Sequence, residues 1–272
     1  MNLKTRLLSV FPRIGIGITS QKNLQNLKDL AANQLAVQDK FELVASIANE
    51  RFSHVEIKEI VSALSKSTSQ LGQDLLVLLY SDFKLNGFFV EFGATNGKDL
   101  SNTYILEKQY GWKGILAEPA KSWHSSLKTN RNCSIETNCV WSESNQALLF
   151  NEVQSKELST LDSFADSDMH ADSRKSGKRY FVNTISLEEL LIRHGAPQIV
   201  DYLSVDTEGS EYEILRGFNF NKYKFNFISC EHNFTESREL VHGLLVENGY
   251  RRILEEVSKF DDWYIHSSLV KA

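Results

Sequence analysis

Acidic side chains standing where apolar runs end are the residues of this chain best suited to chemistry. Glu91 closes the run that begins Phe88-Phe89-Val90, and Glu118 follows Gly114-Ile115-Leu116-Ala117. Asp206 follows Tyr202-Leu203-Ser204-Val205, and Glu231 follows the run Phe225 to Cys230. Packing explains such carboxylates poorly, because charged side chains are seldom buried unless they are paired. They suit a hydroxyl pair, an exchangeable proton or a hard divalent cation. Glu208 lies two residues beyond Asp206, and carboxylates that close repel unless a cation, a proton or a donor sits between them. His232 adjoins Glu231 and would lie near Asp206 if their two strands are neighbours, as consecutive parallel strands often are. Such a carboxylate–histidine cluster does general-base work or holds an oxygen-seeking metal. The sequence has no H-E-x-x-H or cysteine-rich zinc pattern.

The glycine turn Gly93-Ala94-Thr95-Asn96-Gly97 sits directly after Glu91. An apolar run leading into small residues reads as a buried strand whose end approaches a nucleotide-like ligand. A dinucleotide fingerprint would need a second glycine where Thr95 stands. Glu91 would repel a pyrophosphate and favours a cationic or hydroxyl-rich ligand instead. Glu118 follows the turn by roughly 20 residues, the spacing at which an acid holds a ribose hydroxyl pair. Pro119 ends the strand there because it cannot donate a ladder hydrogen bond.

These residues need a scaffold, and the patterning predicts one. From residue 88 onward strand-like runs cover 88–92, 114–117, 134–140, 202–205, 225–230 and 263–266. Helical patterns cover 101–110, 186–194, 211–218 and 235–248, so strands and helices alternate. That alternation implies an α/β fold, a mostly parallel sheet with helices on both faces, with its sites at the carboxyl ends of the strands. Residues 21–82 hold no convincing strand. Leu24, Leu27, Leu30, Leu35 and Val37 recur at helical spacing, as do Phe41, Val44, Ile47 and Ala48, then 57–64. The polar cluster Ser67-Thr68-Ser69-Gln70 is expected to cap a helix through Leu71, Leu75, Leu76 and Leu79. The division that follows is an N-terminal helical extension over 1–82 and a main domain over 83–272. Residues 154–179 are polar, serine-rich and poor in aliphatics, which reads as a mobile loop or a lid over substrate.

Composition narrows the class. The chain has 272 residues, 42% hydrophobic and 24% charged, as expected of a globular protein with one large domain and an extension. A net charge of −5 argues against a nucleic-acid partner. No stretch reaches the apolar length of a membrane span, and the amino terminus lacks the cleavage site of a signal peptide. Cys133, Cys139 and Cys230 form no C-x-x-C pair and no closed disulfide set, so a reducing, cytoplasmic location is expected.

Taken in order, the strings SQLGQDLLVL, GFFVEFGATNGKDLSNT, LEKQYGWKGILAEPA, NTISLEELL, DYLSVDTEGSEYEIL, ISCEHN and FDDWYIH resemble the FkbM-type, S-adenosylmethionine-dependent methyltransferases. The resemblance runs from about Ser69 to near the carboxyl end and leaves the first sixty or so residues outside it. It implies a class I, Rossmann-like sheet of seven strands, one antiparallel, with S-adenosyl-L-methionine as cofactor. Glu91, Gly93, Ala94, Gly97, Asn102 and Thr103 would line the methionine part, Glu118 the ribose, and Asn138 the adenine. Methyl transfer to a hydroxyl needs a base or a metal, for which Asp206, Glu208, Glu231 and His232 are the candidates. His232 or Asp206 is the expected base, and Mg2+ held by Asp206 and Glu231 is the competing arrangement. The family implies O-methylation of a sugar hydroxyl in a glycan, glycolipid or secondary-metabolite precursor, as in polysaccharide biosynthesis. N- or carboxyl-methylation in the same fold, or a non-catalytic cofactor-binding scaffold subunit, are the alternatives. The N-terminal helices could serve a homo-oligomer interface.

Overall fold

A computed structural model of the protein describes residues 37–47 and 57–269. Eleven strands form two sheets. The chain enters through β1 (Phe88–Phe92), β2 (Lys113–Ala117) and β3 (Ser134–Glu136). Next come β4 (Cys139–Trp141), β5 (Ala147–Glu152), β6 (Thr160–Leu161) and β7 (Lys178–Ser186). Then follow β8 (Ile199–Val205), β9 (Lys224–Glu231), β10 (Tyr250–Ile253) and β11 (Asp261–His266). The large sheet has seven strands in the order β10-β11-β9-β8-β1-β2-β3. β11 alone runs antiparallel to its neighbours, and the other pairs are parallel. This is the class I, Rossmann-like arrangement expected from the sequence. The chain winds outward from β1 to β3 and returns to β8 on the other side of β1. That reversal opens a crevice at the carboxyl ends of β1 and β8, where ligands bind in such sheets.

Alternate residues of each central strand serve opposite faces. Val90, Phe92, Leu203, Val205 and Ile228 pack against Leu187, Leu190, Leu191, Ile214 and Leu215 on one side. Phe89, Leu116, Tyr202, Phe227 and Trp263 meet Leu71, Leu75, Leu76, Leu79, Ile105 and Leu106 on the other. Each fully buried aliphatic or aromatic side chain of this kind contributes about 1.5–3 kcal/mol relative to exposure. Leu43 and Ile47, from the helix 37–47, join the second cluster together with Ala63 from the helix Ile57–Lys66. The periodic pattern at Leu24 to Leu35, and Ala48, lie outside the described residues.

Two expectations are corrected, and a third is narrowed. The run 134–140 is two strands in two sheets. The Glu136 carboxylate accepts from the backbone N–H groups of Thr137 and Asn138, at 2.9 and 3.0 Å, and turns the chain out of the large sheet. The serine cluster does not cap the helix Gln73–Tyr80. Its N-cap residue is Gly72, at φ +87°, and the Ser67 and Ser69 hydroxyls donate instead to the buried Asp74 Oδ1, at 2.7 and 2.6 Å. Residues 154–179 are built into the fold through short 3-10 turns, β6 and the helix Ala171–Arg174. They help form the four-stranded sheet β4-β7-β5-β6, which is inserted between β3 and β8. Among the described residues no helix is long and apolar enough to cross a membrane.

Candidate active site

A cavity of about 570 Å³ opens at the carboxyl ends of β1, β2, β8 and β9 and is walled by the inserted sheet. Its first edge is the β1 turn. Gly93 has φ +71°, and a Cβ there would stand 1.9 Å from the Asp206 carbonyl oxygen, so only glycine lets the β1 and β8 ends meet. Glu91 is buried. Its Oε1 accepts from Asn102 N–H at 2.8 Å, and its Oε2 accepts from the hydroxyls of Ser101, at 3.0 Å, and Thr103. The fully buried Arg131 braces the same segment by donating to Gly97 O, Ser101 Oγ and Thr103 Oγ1. The strand-end acid therefore fastens the 101–103 segment beneath the cavity. Glu91, Gly93, Thr95, Ser101 and Asn102 line the cavity, whereas Ala94, Gly97 and Thr103 are not among its lining residues. Asn102 donates through Nδ2 to Ser204 Oγ at 2.9 Å, and its buried Oδ1 has no partner within the protein.

Glu118, at the end of β2, lines the same cavity and is buried. Thr95 N–H donates to its Oε2 and Ala120 N–H to its Oε1, both at 2.8 Å. Each oxygen keeps a lone pair for a further donor. Burial, with the Glu152 charge adding to it, pushes the carboxyl up to about 7 against the pull of those two amides. Asn138 does not reach the cavity. Its N–H is turned to Glu136, and Cys139, Val140, Phe150 and Leu161 supply that wall.

Opposite Glu118 three acids converge. One carboxylate oxygen from each of Asp206, Glu208 and Glu231 lies within 4.8 Å of the others. Burial, with repulsion from neighbouring carboxylates that include Asp261 and Glu211, raises all three above the ordinary carboxylate range. The Asp206 and Glu231 carboxyl groups face one another within this cluster. Glu208 Oε2 accepts from Arg174 at 2.7 Å. Behind them Asp261, paired in register with Glu231, accepts from Gln73 Nε2 at 2.8 Å and Trp263 Nε1 at 3.2 Å, and burial pushes it up to about 6. Glu211 satisfies the turn before its helix, accepting from the backbone N–H groups of Thr207 and Gly209.

His232 does not join them. It follows Glu231 at the end of β9, and the alternation of side chains sends it to the other face. Its Nδ1 accepts from Phe234 N–H at 3.0 Å, and its Nε2 lies buried 3.9 Å from Asp262 Oδ1, outside the cavity lining. Arg238 already holds that Asp262 carboxylate through two bonds, at 2.7 and 2.9 Å. The expectation of His232 as the base beside Asp206 is thus corrected by geometry.

The sequence reading missed Arg174, which has no exposed surface. Its guanidinium donates to Leu158 O, to both oxygens of Asp168 and to Glu208, tying the inserted segment to the acidic tip. Met169 and His170 of the same segment also line the cavity. Within a serine-rich stretch one arginine carries no signal of this role; the acid two residues from Asp206, in want of a cation, a proton or a donor, was the available clue.

Residues 91–262 match the family model described as "Methyltransferase FkbM domain". No curated protein matches the chain. Among solved structures the chain is similar to a precorrin-6y C5,15-methyltransferase from Geobacter metallireducens GS-15, at 10% identity and TM-score 0.40, over 74% of this chain and 88% of that one. It is also similar to a methyltransferase FkbM from Methylobacillus flagellatus KT, at 12% identity and TM-score 0.40, over 88% of this chain and 60% of that one. The family match covers more than half of the chain and agrees with the strand order, so the chain belongs to the FkbM methyltransferase family, whose methyl donor is S-adenosylmethionine.

Proposed function

We propose that the protein O-methylates a hydroxyl of a sugar in a glycan, glycolipid or secondary-metabolite precursor. The observation that carries this reading is the convergence of Asp206, Glu208 and Glu231 in the cavity that also holds Glu118. When bound, S-adenosylmethionine supplies a methyl group already activated by its positive sulfur. The residues present suit that donor. Glu118 has free lone pairs for a ribose hydroxyl pair, and the orphaned Asn102 Oδ1 is an acceptor for an ammonium group.

The protein's remaining task is to align the acceptor, exclude water and receive a proton. An ionised carboxylate among the converging acids would take the proton of an acceptor hydroxyl. Asp206 is the proposed base because its backbone already abuts the β1 turn through Gly93. Glu208, which accepts from Arg174, shapes the floor. An amine acceptor would need less help from a base, and a buried acid cluster would be superfluous for a scaffold subunit.

The same oxygens favour a second reading, in which a hard divalent cation such as Mg2+ sits among Asp206, Glu208 and Glu231 and lowers the acceptor's pKa. The test is transfer from methyl-tritiated S-adenosylmethionine to a panel of free sugars, glycosides and amino sugars, with and without EDTA. Label in a base-stable methyl ether supports O-methylation. Label on nitrogen or as an alkali-labile ester overturns it, and loss of transfer with EDTA assigns the cation.

A further inference from the structure

The mouth of the cavity, where Gln70 and Glu157 are also exposed, carries three large apolar side chains, whereas its floor is acidic. Three of its lining residues are large, hydrophobic and solvent-exposed: Met169 at 67%, Phe234 at 65% and Leu100 at 47%. They come from three separate segments, the inserted 154–179 stretch, the loop after β9 and the loop after β1. Residues that both line a cavity and face water stand at its entrance.

Backbone conformation sets two of the three apart. Leu100 has φ +62° and Phe234 has φ +59°, a left-handed region that bulky side chains rarely adopt. Both are pinned there. Leu100 forms a parallel bridge with Ser69, and Thr68 Oγ1 donates to Ser101 O at 2.9 Å. Phe234 N–H donates to His232 Nδ1, and the backbone N–H groups of His232 and Asn233 both donate to Phe260 O. Conformations of this kind persist only where the surroundings enforce them, and they gather at ligand sites. Neither side chain is buried in return, so packing within the chain does not account for them.

We propose that Met169, Phe234 and Leu100 are specificity-determining residues that seat an alkyl chain of the acceptor, so that the substrate is a glycolipid-like molecule rather than a free sugar. This rests on the proposed function for the direction of entry: the hydroxylated head passes to Asp206 and the chain stays on the rim. The polarity of the cavity matches such a molecule in depth, with the converging carboxylates inside and the three apolar side chains at the rim.

The test is calorimetric titration of the full-length protein with methyl, hexyl, octyl and decyl β-D-glucoside below their micellar concentrations, with and without S-adenosylhomocysteine. Affinity is expected to rise about two- to fourfold per added methylene, up to the ratio that burial of one methylene supports. Met169→Gln and Phe234→Ala, at exposed positions that leave folding intact, should each flatten that rise while leaving S-adenosylhomocysteine affinity unchanged. An affinity independent of chain length, no binding of any alkyl glucoside, or a rise that both variants leave intact would overturn the proposal. So would a dimer, or adsorption to phosphatidylcholine vesicles, that Met169→Gln abolishes, since either would give the rim another occupant. Absence of S-adenosylhomocysteine binding would defeat the functional reading separately, because the chain-length series is read without it.

Discussion

Glu118 links the cavity to pH through a single proton. Its carboxyl is held at about 7 by burial, and ribose hydroxyls would donate only to the ionised form. Above pH 7 the free protein already carries that form, and affinity for S-adenosylhomocysteine should be flat. Below it a proton must first leave, so affinity should fall, approaching about tenfold per pH unit. Glu118→Gln should abolish the dependence, and calorimetry from pH 5.5 to 8.5 reads both outcomes. Asp206→Asn separates binding from chemistry. The cradle uses the Asp206 backbone carbonyl, which the substitution keeps, so cofactor affinity should hold while turnover falls about 10²–10⁴-fold, the usual contribution of a general base. Single-turnover transfer of label measures it. At this scale the sequence placed the strand-end acids well, because a charge after an apolar run has few uses. It could not say that Glu91 is consumed by Ser101, Asn102 and Thr103, nor that His232 turns away, since both depend on which face a residue takes beyond the strand's end.

The inserted segment is held by Arg174 together with the β6 pairing and a small apolar cluster that takes in Leu161 and Phe164. Arg174→Ala would leave Asp168 and Glu208 buried without their cation, a change that costs about 3–5 kcal/mol when a buried pair is broken. The expected result is a lower melting temperature and new proteolytic cuts confined to 154–179, with the seven-stranded sheet persisting; mass spectrometry of the fragments locates them. Cuts spread over the whole chain would contradict the strut. This element explains a limit of hydrophobic patterning. Residues 154–179 hold few aliphatics, and many of the contacts that fix them are polar, so composition read them as loop. β10 escaped for a related reason, since Arg251 and Arg252 interrupt its apolar pattern and Arg252 pairs with Asp262 across the sheet. The central strands were legible because both of their faces are buried, which writes a continuous apolar run into the chain.

For the whole molecule, the buried acids give stability a definite slope with pH. Glu118 rises from 4.5 to about 7 and Asp261 from 3.8 to about 6 on folding, and Asp206, Glu208 and Glu231 are raised as well. Between pH 5 and 8 these five acids make the folded state bind more protons than the unfolded chain, so their contribution is full at the acid end and is lost as pH rises through the folded values. His232 and His266, whose burial holds them below the usual imidazole range, have a smaller, opposite effect. Glu107, held at about 2 chiefly by its Lys108 and Arg131 partners, acts in the opposite sense but is already spent above pH 5. Thermal melts of the free protein should thus fall steadily from pH 5.5 to 8, and a flat or rising curve would contradict the buried acid cluster. The mostly parallel sheet follows from the alternation of strands and helices, whereas the second sheet, inserted between β3 and β8, had no counterpart in that alternation.

The central claim, that one cavity binds the methyl donor through Glu118 and activates an acceptor through Asp206, is tested most directly by calorimetry with S-adenosylhomocysteine at pH 7.5. The account predicts saturable one-to-one binding, weakened by about tenfold or more in Glu118→Ala, as expected for hydrogen bonds to a charged group, and unchanged in Asp206→Asn. No binding by folded protein, or equal affinity in Glu118→Ala, would contradict it.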